Sequence, residues 1–190
     1  DDLLLKDDCT IGTATTAGAI AIAADGTVDL DVAGATVASA IIRTVGKESI
    51  WVPAAAMTPT TSNPCSDITI VETTSGRPDM VVLDFATGAD EFAQFSIAFP
   101  KAWNLGTITY QAFWSGIAAS TDCDWSLQGV AMNDNETIDV AYGTAVVVSD
   151  NAQGAVEELY VAAESGAVTI AGTPADNDLC YFRIGRDVSG

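Results

Sequence analysis

Short apolar segments separated by turn residues recur along most of the chain. From residue 68 onward they read ITIVET, DMVVLDF, FAQFSIAF, TITYQAFW, WSLQGVAM, AVVVSD, ELYVAA, AVTIAG and LCYFRIG, with Gly, Asp, Asn and Pro between them. Short strands spaced by about ten residues are typical of antiparallel sandwiches and barrels. No intervening segment is long enough for the helices of an α/β fold. We therefore predict an all-β chain, an antiparallel β-sandwich of jelly-roll-like form.

Apolar and polar side chains alternate within several of these segments. In the last one, Cys180, Phe182 and Ile184 alternate with Tyr181 and Arg183. FAQFSIAF and TITYQAFW have the same period of two, so one face of each strand should meet the core and the other solvent or a partner. This alternation favours half-buried antiparallel sheet over the uniformly apolar strands of a parallel core.

The N-terminal region differs from the rest because it is rich in Ala, Gly and Thr and contains no aromatic residue. The stretch AGAIAIAADGTVDLDVAG predicts two short strands joined at Asp25-Gly26, whereas ATVASAIIRTVG fits either a short helix or a strand. We predict an N-terminal arm or hairpin at residues 1–48 that anchors or oligomerises the protein, followed by a sandwich domain at residues 49–190. There, SIWVPAA should form a short strand ended by Pro53, and MTPTTSNPCSD a loop.

The charge balance restricts the partners. The chain of 190 residues carries 26 acidic and 7 basic residues, a net charge of −19. Between Ala102 and Phe182 there are eleven carboxylates and no Lys or Arg. Nucleic-acid binding requires clustered basic residues on phosphates, and an anionic membrane surface repels such a chain. We therefore expect neither nucleic-acid nor membrane partners.

Several kinds of catalytic and metal site are excluded by residue type. The chain has no histidine, so it lacks the commonest general base and metal ligand, and no Ser-His-Asp or Cys-His relay can be built from it alone. Four widely separated cysteines without a CxxC pair argue against zinc and permit disulfides without requiring them: Cys9, Cys65, Cys123 and Cys180. The apolar neighbours of Cys180 favour a buried free thiol.

Acidic loops leave Ca²⁺ as an alternative to a chain without cofactors. STDCDW, NDNET and PADND are dense in oxygen ligands, which Ca²⁺ prefers. None has the spacing of an EF-hand loop, and Asp and Asn are also common in turns because they hydrogen-bond nearby backbone. We therefore predict no cofactor, with Ca²⁺ supported by no specific motif.

Tryptophans are the candidate ligand-binding residues, because exposed indole rings on a sheet can stack on sugars, although they also fill sandwich cores. We select Trp103 and Trp125. Trp103 follows Pro100-Lys101 in a predicted loop, so it either folds back as a lid over the sheet edge or is presented to a partner. We favour the lid.

A hydrolase would need a carboxylate pair, as in glycosidases. No spacing singles out two of the available glutamates, which are Glu72, Glu91, Glu136, Glu157, Glu158 and Glu164. We therefore predict that the protein is not an enzyme.

Extended segments of the chain resemble a family of viral proteins. SIWVPAAAMTPTTSNPC, VETTSGRPDMVVLDF, QFSIAFPKAWNLGTITYQAFW, WSLQGVAM, DVAYGTAVVVSD and AESGAVTIAGTPADNDLCYFRIGRD are similar to segments of uncharacterised structural proteins of tailed bacteriophages, particularly those of marine bacteria. The resemblance covers roughly residues 48–188 and carries no catalytic signature. It implies a virion component, often grouped with tail-fibre or other surface-exposed proteins, that folds in the host cytoplasm, where thiols stay reduced.

On this basis the expected function is that of a tailed-phage structural protein exposed on the particle surface, acting in assembly and host attachment. It would be a tail-fibre or receptor-binding part, or a capsid decoration protein. The expected partners are other virion proteins, further copies of the chain in a homo-oligomer, with a trimer favoured, and a host-surface glycan. A carbohydrate-binding module or cell-surface adhesin domain is the alternative.

Overall fold

Strands supply nearly all of the regular structure in a computed structural model that describes residues 47–117, 121–154 and 158–189. These residues belong to one compact unit, Ile41–Gly190, so the arm predicted at residues 1–48 lies almost wholly outside the described residues. The elements are a 3₁₀ turn at Ala54–Ala56 and strands β1 (Thr58–Pro59), β2 (Thr69–Glu72), β3 (Asp79–Val82), β4 (Glu91–Ile97), β5 (Phe113–Ser115), β6 (Asp122–Met132), β7 (Val146–Asn151), β8 (Leu159–Val161), β9 (Ile170–Ala171) and β10 (Leu179–Asp187).

Six of the strands form the main sheet, in the order β1-β4-β10-β6-β7, with β9 pairing beside β7 on the same edge of β6. All of these pairings are antiparallel except that of β9 with β6. The long central strands β6 and β10 pair over nine positions, from Leu179 opposite Met132 to Asp187 opposite Asp124. The predicted all-β, mainly antiparallel fold is thus confirmed for the described residues.

The period-two alternation divides the main sheet into a core face and an outer face. On β10, Cys180, Phe182 and Ile184 point into the core, and Tyr181 and Arg183 point outward. Such a division follows from strand geometry, because successive side chains point to opposite sides. The alternation predicted for this segment is confirmed.

A second layer covers the core face. Residues 108–115 run antiparallel to residues 159–168, joined by the β5–β8 pairing and by reciprocal bonds between the N–H and carbonyl groups of Ile108 and Val168 (3.1 and 2.8 Å). The Tyr110 hydroxyl reaches from this layer to the main-sheet carbonyls of Trp125 (2.5 Å) and Val146 (2.9 Å). Burial of apolar surface and these polar contacts together hold the layers.

Two apolar clusters fill the space between the layers. One is centred on Phe182, which is fully buried, and contains Leu127 and Val168. The other is centred on Trp125 and includes Cys123.

Of the two predictions for residues 49–67, the strand is wrong and the loop is largely confirmed. SIWVPAA contains no strand; instead the N–H of Ala56 donates to the carbonyl of Pro53 at 2.9 Å and closes the 3₁₀ turn. MTPTTSNPCSD is a loop as predicted except for an isolated bridge at Pro64 and the two-residue edge strand β1, whose Pro59 lies opposite Ala93. An edge strand tolerates proline because one side of it needs no N–H donor.

Candidate functional site

The structure places the two candidate tryptophans in different apolar clusters. Trp125 is 8% exposed, with the Phe85 ring edge-on at 5.3 Å. Trp103 is half-buried against the Phe182 cluster and stacks on Phe99 at 4.2 Å, which agrees with the lid interpretation. In the part of the chain that the structure describes, neither indole nitrogen has a hydrogen-bond partner. The two residues do not form one site, and a ligand-binding role for either stays a prediction.

The most developed polar constellation lies instead on the outer face of the main sheet. The register places Gln94, Arg183 and Gln128 in one row across β4, β10 and β6. The neighbouring row toward the end of β10 contains Phe92, Gly185 and Ser126 in the same strand order. Because side chains in one cross-strand row are direct neighbours, the sheet brings a guanidinium between two amides and beside an aromatic ring.

Arg183 is held in place by three neighbours. With the amide of Gln128 oriented so that its oxygen faces the guanidinium, that oxygen accepts from Nη2 at 2.7 Å and from Nε at 3.1 Å. The guanidinium carbon lies 4.2 Å from the centre of the Phe92 ring and 5.3 Å from that of Tyr142, both within cation–π range. Among the described residues no carboxylate forms an ion pair with Arg183. Its position therefore depends on an amide and two rings.

A glycine makes room for the Phe92 ring. Gly185 lies directly opposite Phe92 in the β4–β10 pair, and a Cβ added to it would come within 2.4 Å of the ring. The aromatic side chain thus lies over a backbone position without a side chain, a recurrent way of packing glycine in sheets.

Arg183 lines a cleft on the outer face of the main sheet, with a volume of about 110 Å³. Two carboxylates, Asp90 and Asp187, also line this cleft. The other lining residues are Phe92, Ser126, Gln128 and Ala145. Asp90 Oδ1 accepts the N–H of Val188 at 2.8 Å. Asp187 Oδ1 accepts from the N–H and the hydroxyl of Ser189 at 3.0 and 2.9 Å. These bonds fix both carboxylates while using one oxygen of each.

The phenol pKa of Tyr142 depends on burial and on the nearby Arg183 guanidinium. Burial raises the pKa of its phenol above the ordinary value, and the positive charge of Arg183 opposes that shift. Tyr142 is therefore neutral at physiological pH, and the Arg183 guanidinium lies over its ring. Together the cleft and its surroundings provide hydrogen-bond donors, acceptors and aromatic surface.

Three of the glutamates considered for hydrolysis have hydrogen-bond partners in separate parts of the chain. Glu91 accepts the N–H of Ala86 at 2.6 Å, and Glu158 accepts the hydroxyl of Tyr160 at 3.1 Å. Glu164 accepts from Lys47 and Thr109, and the bond from Lys47 is the main cause that lowers its carboxyl pKa. Within residues 47–117, 121–154 and 158–189, no group of three or more cysteine or acidic side chains could hold a metal ion.

The three cysteines in the described chain, Cys65, Cys123 and Cys180, are free and buried. Burial raises the pKa of each thiol to about 11 from an ordinary value of 9.0. A protonated thiol is a weak nucleophile and metal ligand, so these groups act as apolar core residues. The free buried thiol predicted at Cys180 is confirmed.

Sequence reasoning placed Arg183 on a polar strand face but did not select it as a site residue. One signal was present: Arg183 follows a stretch from 102 to 182 without any basic residue. Its association with Phe92, Gln128 and Tyr142 depends on strand register, which the sequence does not display.

No helix in the described part of the chain is long and apolar enough to cross a membrane. The chain matches no protein-family model, no curated protein and no solved structure.

Proposed function

We propose that the protein is a structural component of a tailed-phage virion, exposed on the particle surface, where it acts in assembly and host attachment. Its two layers would form a jelly-roll-like β-sandwich that carries binding surfaces and no catalytic centre. The resemblance of residues 48–188 to phage structural proteins supports the choice of particle. The physical support comes from surfaces that a solitary protein would not leave exposed.

The observation that carries the proposal is the hairpin of β2 and β3. Ile70 opposes Val81 and Val71 opposes Met80, so each face of the hairpin bears one apolar pair. All four side chains are exposed, Ile70 by 68%. A two-stranded hairpin is at best marginally stable alone in water, and exposed apolar patches mark interaction sites. We infer that this β2–β3 hairpin is an assembly contact, which another subunit covers.

A second apolar surface lies on the outside of the second layer. Phe113 of β5 pairs with Val161 of β8, and Leu159 follows on the same face. The Trp51 ring meets Phe113 edge-on at 5.0 Å, yet Trp51 remains 66% exposed and Leu159 68%. Two separate exposed apolar surfaces on one subunit are suited to a cyclic homo-oligomer. We favour a trimer.

The experiment that tests assembly is sedimentation of the purified chain with hairpin variants. The double variant Ile70→Thr and Val81→Thr keeps β-branched side chains in the strands while adding hydroxyl groups. We expect its association constant to fall at least tenfold. Val147→Thr is the matched control, because Val147 is a comparably exposed strand valine, on β7. A concentration of about 100 μM detects even weak association. If the wild-type protein stays monomeric at this concentration, the proposed role of the β2–β3 hairpin in assembly is wrong.

Particle location is tested separately, by mass spectrometry and densitometry of purified virions from the phage that encodes this sequence. Hundreds of copies per particle are expected for a decoration protein, and a few to tens for a fibre or receptor-binding part. Absence of the protein from particles would overturn the virion proposal and leave a cellular adhesin or carbohydrate-binding module as the function.

A further inference from the structure

We propose that the cleft around Arg183 on the outer face of the main sheet binds neighbouring hydroxyl groups of a neutral sugar. This deepens the host-attachment part of the proposed function and rests on it only for the setting in which a glycan is met. Three features of the cleft favour such a ligand: the preorganisation of Arg183, the mixture of donors and acceptors around it, and its charge.

Arg183 is fixed before any ligand arrives. Gln128 occupies Nε and one proton of Nη2, and the rings of Phe92 and Tyr142 flank the guanidinium. Among the described residues no hydrogen bond engages Nη1, which leaves it for a ligand. A long side chain immobilised in this way loses little further entropy on binding, so each new hydrogen bond contributes more to affinity.

The acceptors sit in the same cleft. Asp90 and Asp187 each engage one oxygen with nearby backbone or hydroxyl donors, so the second oxygen of each is the one available to a ligand. A sugar hydroxyl both donates and accepts, and adjacent hydroxyls can satisfy a guanidinium and a carboxylate together. A purely cationic or purely anionic group would satisfy only one of these partners.

Charge selects a neutral ligand over an acidic one. One guanidinium and two carboxylates line the cleft, and the whole chain has a net charge of −19. An anionic sugar would approach through a repulsive field, whereas a neutral one would not. The volume of about 110 Å³ is below the roughly 300 Å³ of pockets for drug-sized ligands, so the cleft suits one edge of a sugar ring.

The experiment is an NMR titration of the ¹⁵N-labelled full chain with methyl glycosides of glucose, galactose, mannose and N-acetylglucosamine, and with glucuronic acid as the charged probe. Concentrations up to about 50 mM detect dissociation constants in the millimolar range. We expect saturable shifts at Gln128, Tyr142 and Arg183 with at least one neutral glycoside and weaker effects from glucuronic acid. Shifts with none of the neutral probes, or saturation with the acid alone, would overturn the proposal.

Variants locate the site. Arg183→Gln should weaken binding of the responding glycoside at least tenfold, and Arg183→Lys should also weaken it, because lysine keeps the charge but not the planar fork. Lys101→Gln removes an exposed charge elsewhere and should bind as wild type. If Arg183→Gln does not fold, Asp187→Asn tests the same cleft and should weaken binding about fivefold.

Trp103→Ala and Trp125→Phe decide between this cleft and the tryptophans chosen from the sequence. Binding that survives both changes and fails in Arg183→Gln supports the cleft, and the reverse pattern overturns it. A protein found on virions that binds no glycoside would overturn only the sugar site, whereas a sugar-binding protein absent from virions would overturn only the virion assignment.

Discussion

The two faces of the main sheet use the same local arrangement for different purposes. On the core face the Phe182 ring lies over Gly129, and on the outer face the Phe92 ring lies over Gly185. In both pairs a Cβ on the glycine would come within 2.5 Å of the ring. Phe182 is fully buried among apolar neighbours, whereas Phe92 is only partly buried beneath the Arg183 guanidinium.

The difference shows that the environment decides what an aromatic–glycine pair does. On the core face the Phe182 ring contacts Phe95 and Phe99, with centroids 5.4 and 6.0 Å away, so it contributes to stability. On the outer face the ring is a platform that orients a charged group. Stability should therefore respond to changes on the first face and binding to changes on the second.

The largest expected effect is that of Phe182→Ala. Removing a fully buried ring leaves a cavity and should lower the free energy of unfolding by about 3–5 kcal/mol, measured by urea denaturation. Phe92→Ala is the counterpart on the outer face and should cost less than about 1.5 kcal/mol. Equal losses in the two variants would contradict the division of the faces.

The next effect separates the two glycines. Gly129→Ala forces a methyl group against a ring that has no free space to enter, and should cost about 1–3 kcal/mol. Gly185→Ala also brings the methyl group to 3.0 Å from the carbonyl oxygen of Glu91, but it should cost less because the Phe92 ring can turn toward solvent. That movement should disturb the Arg183 stack. A Gly185→Ala protein that keeps full affinity for the responding glycoside would argue against Phe92 as the platform.

A smaller effect is expected for the tyrosine hydroxyls. Tyr110→Phe removes the hydroxyl that bridges to the carbonyls of Trp125 and Val146 and should cost about 1–2 kcal/mol. Tyr142→Phe, beside the outer face, should change unfolding by less than about 0.5 kcal/mol. Urea denaturation at neutral pH measures the free energy of unfolding of both variants. A larger loss in Tyr142→Phe than in Tyr110→Phe would contradict the role of the Tyr110 hydroxyl in joining the two layers.

The last effect is confined to alkaline pH. Burial raises the pKa of the Cys180 thiol from 9.0 to about 11 in the folded chain, so the folded state keeps a proton that the unfolded state releases. Its contribution to stability is complete below pH 9 and is lost as the pH rises toward 11. Cys180→Ala should therefore flatten the decline of the urea midpoint over this range. An unchanged decline would show that the thiol does not contribute.

Much of the fold was predictable from local sequence because strand alternation is a short-range property. Each of the nine segments predicted from residue 68 onward contains a strand, and the faces of the last one are as its alternation indicates. Residues 49–67 were less predictable, since Pro59 joins an edge strand only because β4 offers it a partner. The parallel contact of β9 with β6 is likewise a matter of chain path.

The candidate site was predictable only in part. The alternation in LCYFRIG placed Arg183 on a face away from the core, but its partners come from β4, β6 and the segment before β7. Trp103 and Trp125 were conspicuous by residue type, although the fold gives them apolar neighbours in two separate clusters.

By itself the sequence determined the strand-rich class, the alternating faces and the acidic surface, because these depend on residue type and near neighbours along the chain. Only the tertiary structure decided which strands adjoin, which ring lies over which glycine and which amide meets Arg183. Those contacts join residues up to about ninety positions apart, and they follow from register and layer packing, which are settled when apolar faces are buried together.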